Sequence, residues 1–347
     1  MRAVVFSEHG GLEKLQYTEV LQPETSAMEV LIRVKASGCN YNDIWARTGM
    51  PGLKVPLPHI SGSDVSGVVA EVGEEVSRVN VGDEVLIHPG ISCRSCEYCT
   101  SGREYFCRQF RIYGFQTGPL EGGHAEYAKL PEANVLPKPE NLTFEEAAAL
   151  PLVLLTVWHM LVTRAGVKPG HDVLVLGGAG GVGSTAIQVG KLFGARVIAT
   201  VGNEEKLELA RKLGADEVIN HSAQNIAEEV RKATHRRGVD IVVEHVGQAT
   251  WEQSMSSLAW GGTIVTCGAT TGYDARTDLR YLFNKQLNLL GSHQGRKAEL
   301  VEALRFVKSG EIKPVISTVL PLSQAAEAQR QMEQREVMGK VVLTPSP

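Results

Sequence analysis

A strong excess of charge of one sign is missing from this chain: 35 Lys and Arg face 39 Asp and Glu, a net charge of −4. With a pI near 6.2, composition gives no general polyanion-binding signal, so nucleic acid is not an expected partner. Cysteine is scarce, six in 347 residues, and four of the six fall in one stretch. That concentration argues for a metal site in a reducing compartment and against a disulfide framework. Long apolar runs are absent as well. The most apolar stretch, AAALPLVLLTVWHMLV at 147–162, is interrupted by Pro151 and His159. It also falls short of the ~20 residues a membrane span needs. The opening MRAVVFSEHG has no apolar signal core. No membrane association is expected, and the cytoplasm is the expected location. Low-complexity tracts, repeats and long linkers are also missing.

What is present divides the chain in two. At 347 residues the length suits about two domains with ample buried cores. The first part carries short β patterns punctuated by glycine: EVLIRVKAS, then DVSGVVAEVGEEV and VNVGDEVLI. Those patterns predict a compact, partly closed antiparallel β domain. From about 172 apolar runs alternate with helical patterns. DVLVLG, ARVIATV, DEVIN, DIVVEHVG, GTIVTCGA and LNLLGS are six strand candidates, which predicts a doubly wound parallel sheet, an α/β fold. After Gly291 the chain forms another helix and ends in the strand-like GKVVLTP. The expected domains are 1–155, 156–290, and a return segment 291–347 completing the first.

CRSCEYCTSGREYFC spaces Cys93, Cys96, Cys99 and Cys107 as C-x2-C-x2-C-x7-C. Four thiolates at this spacing predict one tetrahedral zinc. A closed four-sulfur shell has no open position for substrate or water, so the ion is read as structural.

DVLVLGGAGGVGSTAIQVGKLFG places Gly178-x-Gly180-x-x-Gly183, with Gly181 and Val182 between, after a strand and at a helix start. The first glycine is read as permitting the tight turn and the second as letting pyrophosphate approach the backbone. The third lets helix and strand pack closely, with phosphates at the helix N-terminus. The second strand chooses the cofactor. An NAD site usually ends that strand with an acid for the ribose hydroxyls. Here it ends at Val201-Gly202-Asn203, with no acid until Glu204; Lys206 follows and, after the next strand, His221. A cation and neutral donors in place of an acid suit a 2′-phosphate, so NADPH is expected.

A β domain with a cysteine lobe followed by this dinucleotide unit resembles the medium-chain dehydrogenase/reductase superfamily over essentially the whole chain. The resemblance implies a GroES-like domain, a Rossmann domain and a structural zinc lobe at 93–107. In the superfamily's zinc alcohol dehydrogenases a second, catalytic zinc is held by an early cysteine, a G-H-E motif and a later cysteine. Those positions fall here on Asn40, Gly62-Ser63-Asp64 and Leu152, which leaves no ordinary catalytic zinc site. A displaced set of Cys39, His59 and Asp64 is the alternative. Thr156 takes a position that touches the nicotinamide in the family. NYNDIWARTG, HISGSDVSGVV, RIYGFQT, VEHVGQATW and CGATTGYDARTDLRYLFNKQLNLLGSH are similar to crotonyl-CoA carboxylase/reductases and their acryloyl-CoA reductase relatives. In the carboxylating enzymes an Asn, a Phe-Glu pair and a His line the pocket, which implies Asn40, Phe115 and His293. The Glu partner is Gln116 here, which favours reduction without carboxylation.

The expected chemistry is conjugate reduction of an α,β-unsaturated thioester. Asn40, backbone amides and Gln116 are candidate donors to the developing enolate, and His293 or Tyr41 a proton source or water holder. Phe115 and Trp45 are expected in the pocket wall or core. Arg280, Arg296 and Lys297 are candidates for the phosphates of coenzyme A. Rival readings are a quinone or enone oxidoreductase, an atypical zinc alcohol dehydrogenase with two zinc ions per chain, and a non-catalytic NADPH-binding protein. The resemblance implies a homodimer or homotetramer.

Overall fold

The computed structural model describes residues 1–345 of the chain. It contains two compact units. The first comprises Met1–Leu152, Arg296–Leu304 and the chain from Pro314 onward; the second comprises Val153–Gly295 and Arg305–Lys313. Among the described residues no helix is long and apolar enough to cross a membrane.

The first unit is built on the strand Glu29–Gly38. From Ile32 to Ala36 its side chains alternate, with Ile32, Val34 and Ala36 buried while Arg33 and Lys35 face solvent, the period-2 pattern of a half-buried strand. Antiparallel neighbours are Asp64–Val72, Tyr127–Pro131 and Lys340–Thr344. Glu84–Ile87 and Val135–Pro137 extend one side, and Ile316–Pro321 joins Lys340–Thr344 in parallel on the other. Val65, Val69, Val85, Ile87 and Leu130 close over the central strand's apolar face to form the core. A smaller sheet pairs Arg2–Phe6 with Gln16–Glu19 and His59–Ile60.

In the second unit six described strands are parallel: Asp172–Val175, Arg196–Val201, Glu217–Asn220, Val239–Glu244, Leu258–Thr266 and Asn288–Gly291. Numbered along the chain, their spatial order is 3-2-1-4-5-6, the doubly wound arrangement the alternation predicts. All six coincide with the apolar runs. The segment Arg305–Lys313, expected with the return segment, packs instead in this unit. Phe306 meets Trp158 at 5.5 Å, and the Gln188 carboxamide bonds both backbone groups of Lys313 at 2.8 and 3.0 Å.

Candidate functional site

The loop after Asp172–Val175 is shaped by glycines, though not as their spacing alone implies. The left-handed residue is Gly177 (φ +59°), one before the fingerprint. The tight turn is therefore Gly177's, and Gly178 serves close packing: a Cβ there would meet that of Ala199 at 2.9 Å. At Gly183 a Cβ would lie 2.1 Å from the Gly177 carbonyl oxygen, so only glycine lets the helix Gly181–Leu192 start against the turn. Gly180 caps that helix. The amides of Gly181, Val182 and Gly183 have no acceptor within the helix and are available to a phosphate. Thr200 pins the turn from the next strand, its hydroxyl accepting from Gly177 N at 3.1 Å and its carbonyl from Gly178 N at 2.7 Å.

At the end of Arg196–Val201 the Asn203 carboxamide accepts from Lys206 N at 2.9 Å and caps the following helix. His221 stands beside Gly202, within 3.5 Å of where a Cβ would be, and the Ser222 hydroxyl donates to Gly202 O at 2.9 Å. Ser222 and Thr200 carry no motif and are missed by the sequence. These residues fit a dinucleotide: a glycine cradle that a single Cβ would fill, free helix amides, and a strand end without an acid.

Thr156, in the helix Pro151–Trp158, donates its hydroxyl to Gln294 Oε1 at 3.3 Å. Next to Gln294 stands His293, exposed on one side, and the atoms packed on its other side lower its pKa by desolvation. It is neutral at neutral pH.

Asn40, Tyr41 and Gln116 belong to the first unit. Asn40 starts the helix Tyr41–Thr48, and its side chain is fully engaged. The amide hydrogens go to Asp64 Oδ2 at 2.8 Å and Gly38 O at 3.3 Å, while Oδ1 accepts from Lys340 Nζ. Asp64, 0% exposed, also accepts from Leu152 N at 2.7 Å and pairs with Lys340 Nζ at 3.2 Å. Burial raises its pKa, against the pull of Lys340 and Asn40. The positions that the resemblance assigned to catalytic-zinc ligands thus come together, but a divalent cation does not fit them. Their donors are an amide oxygen and a carboxylate already bound to a buried ammonium, and Leu152 contributes only a backbone N–H.

The expectation that Asn40 donates to substrate is corrected accordingly: both its amide hydrogens are spent on the protein. Gln116 braces its own turn, Oε1 accepting from Ile112 N at 3.0 Å. Tyr41 meets Trp45 edge-to-face at 5.3 Å, and burial together with Glu333 raises its pKa, so it retains its proton. Phe115 and Trp45 pack in one cluster with Phe6, Phe110 and Leu152. The cations expected at coenzyme A have protein partners: Arg280 with Asp278 at 2.7 Å, Arg296 with Glu299 at 3.9 Å, and Lys297 Nζ with Ala133 O at 2.6 Å.

The displaced set does not assemble as expected either. His59 Nε2 bonds Gly114 O at 3.2 Å and the ring packs on Phe6. Cys39 groups instead with Asp43 and His124, one ligand atom from each lying within 4.8 Å of the others. Burial opposes a charge on His124, but the Asp43 carboxylate outweighs it and holds the imidazole's pKa up at about 10.

In the lobe, sulfur separations are 3.5 Å (Cys93–Cys107), 3.6 Å (Cys96–Cys99) and 3.8 Å (Cys93–Cys99). Four zinc–sulfur bonds of about 2.3 Å set neighbouring sulfurs roughly 3.8 Å apart, so these cysteines fit one zinc. Amides of Cys96 and Gln109 point at Cys93 and Cys107 Sγ, each at 3.4 Å, stabilising thiolates.

Comparison with known proteins matches residues 26–140 to the alcohol dehydrogenase GroES-like domain and residues 181–309 to the zinc-binding dehydrogenase family. The chain is 34% identical to a crotonyl-CoA carboxylase/reductase of Cereibacter sphaeroides, over 95% of this chain and 83% of that one. A crystal structure described as an NAD-dependent alcohol dehydrogenase is 47% identical, with a TM-score of 0.95 and full coverage of both chains (100% and 100%). A 2-octenoyl-CoA carboxylase reductase solved with NADP and 2-octenoyl-CoA is 35% identical, with a TM-score of 0.88 over 96% of this chain and 82% of that one.

Proposed function

This chain belongs to the medium-chain dehydrogenase/reductase superfamily and is an NAD(P)-dependent oxidoreductase, and on that premise we propose that it uses NADPH to reduce the activated double bond of an α,β-unsaturated acyl-CoA. The observation that carries the reading is the buried Lys340–Asp64–Asn40 cluster, which takes the place of a Lewis-acid metal and favours conjugate reduction over alcohol oxidation. The likeness to the crotonyl- and 2-octenoyl-CoA enzymes supports a thioester substrate. Gln116 in place of an acid supports reduction without carboxylation.

The acid-free strand end, with His221 and Ser222 beside Gly202 and Lys206 in the first turn of the following helix, supports NADPH. When bound, the cofactor supplies hydride to the substrate's β carbon. The chain's part is to orient and to move a proton. Lys340 and Asp64 fix the Asn40 amide, and through it the start of the helix Tyr41–Thr48, so Asn40 acts by position. Backbone amides take up charge on the thioester oxygen. Neutral His293 holds the water that protonates the α carbon. We place the enzyme in a homodimer or homotetramer. Trp260, within the strand Leu258–Thr266, and Phe283, in the segment before Asn288–Gly291, are 73% and 67% exposed and support that assembly.

A second reading rests on the 47% identical structure described as an NAD-dependent alcohol dehydrogenase: oxidation of an alcohol with NAD. The deciding experiment follows NADPH absorbance with acryloyl- and crotonyl-CoA, without bicarbonate. Naphthoquinone with NADPH, and primary alcohols with NAD, are run beside it. Fast consumption with a thioester is the expected result. Turnover confined to the quinone or to the alcohols overturns the thioester reading.

A further inference from the structure

Cys39, Asp43 and His124 take no part in the proposed reaction, yet His124 meets the other two from 81 residues beyond Asp43. Cys39 follows the end of the central strand, Asp43 lies in the first turn of the helix Tyr41–Thr48, and His124 sits in the loop before Tyr127–Pro131. Their exposures are 2%, 0% and 1%. His124 Nε2 lies 3.3 Å from Asp43 Oδ2. Two donors on one tetrahedral zinc, bound at about 2.0–2.1 Å, stand roughly 3.3 Å apart.

The surroundings hold each ligand as a second shell does. The Ser37 hydroxyl gives its hydrogen to Asp64 O at 3.0 Å, so it accepts from His124 Nδ1–H at 2.9 Å. That bond turns Nε2 toward Asp43 and Cys39, where a bound cation would take the place of the proton shared with Asp43. The Asp43 carboxylate is oriented by Asn40 N on Oδ2 at 2.7 Å and Gly62 N on Oδ1 at 3.1 Å. Cys39 is anchored by its own amide to Val341 O at 2.8 Å.

We propose that Cys39 Sγ, Asp43 Oδ2 and His124 Nε2 form a second binding site, enclosed in the first unit, for a zinc-class divalent cation. A thiolate, an imidazole and a carboxylate are a zinc donor set. Because all three side chains are shut off from solvent, the ion reaches no substrate. It ties the central strand, the helix and the loop together.

The proposal is independent of whether a thioester or an alcohol is the substrate. The test is zinc content and zinc-edge X-ray absorption on the full chain purified from zinc-supplemented culture. With both sites filled, the protein holds two zinc ions per chain and the average ion has about 2.5 sulfur neighbours, the rest nitrogen or oxygen. One zinc per chain with four sulfurs overturns the proposal. Cys39→Ser and His124→Asn each remove the mixed-ligand ion and leave the four-sulfur ion. Asn40→Ala keeps both ions, which separates this site from an atypical catalytic site at Asn40 and Asp64. Persistence of the second ion in Cys39→Ser and His124→Asn also overturns the proposal. If those variants fail to fold, the sulfur count of the wild-type protein decides.

Discussion

Replacing Lys340 with Met removes the cation paired with Asp64 among the described residues and leaves a carboxylate that is 0% exposed. Breaking a buried ion pair from one side costs about 3–5 kcal/mol, because the remaining charge is uncompensated. Asp64 keeps bonds from Asn40 Nδ2 and Leu152 N at 2.8 and 2.7 Å, so the loss should lie near the lower end, ~3 kcal/mol. For a unit of this size that lowers the melting temperature by roughly 6–12 °C. The double variant Lys340→Met with Asp64→Asn removes the charge as well, and should recover more than half of the loss. Without Lys340 the folded-state pKa of Asp64 lies further above its unfolded value of about 3.9. The folded chain then binds more protons than the unfolded one, so the penalty grows with rising pH and fades as pH falls toward that value. Denaturant midpoints followed by circular dichroism at two pH values measure both effects. A cost below about 1 kcal/mol, or a double variant no more stable than the single, would refute the reasoning.

Three further outcomes are expected. Gly183→Val should abolish NADPH binding in a fluorescence titration, since its Cβ would lie 2.1 Å from the Gly177 carbonyl oxygen and 2.7 Å from Gly178 Cα, both backbone atoms. Lys206→Ala should weaken NADPH by about fivefold, the ~1 kcal/mol of an exposed charge pair, and leave NADH unchanged. Equal losses with both cofactors would place Lys206 outside the 2′-phosphate pocket. His88 is buried, and desolvation, with Lys297 and Arg94 adding to it, drives its pKa down to about 3. Its folded pKa lies below the unfolded value of about 6.5. The stability linked to it is therefore complete above that pH and is lost as pH falls toward the folded pKa, about 2 kcal/mol of it by pH 5. Denaturant midpoints of His88→Gln should show a correspondingly shallower loss between pH 7 and 5.

Much of the fold was legible because it rests on local patterns. The six parallel strands appear as branched apolar runs between helices, and the zinc lobe as close cysteine spacing. The glycine fingerprint located the cofactor loop but misplaced its tight turn by one residue, since φ is not written in the spacing. The candidate site was less legible. Lys340 and Asn40 are 300 residues apart and His124 and Asp43 are 81 apart. Periodicity carries no information about such pairs, and His124 in EGGHAEY belongs to no ligand motif. Asn40 was found through family resemblance. That its amide is already spent on Asp64 and Gly38 is a fact of side-chain geometry.

The pairing of the strand Lys340–Thr344 with the central strand Glu29–Gly38 bears on how the chain is made. A ribosome releases the first unit's opening residues long before its last strand exists. The second unit is nearly contiguous and can reach its native sheet while synthesis continues. The first unit must wait with one side of its central sheet unpaired and with Asp64 lacking its counter-ion. The first unit is thus completed only when Lys340–Thr344 has been made and pairs with the central strand.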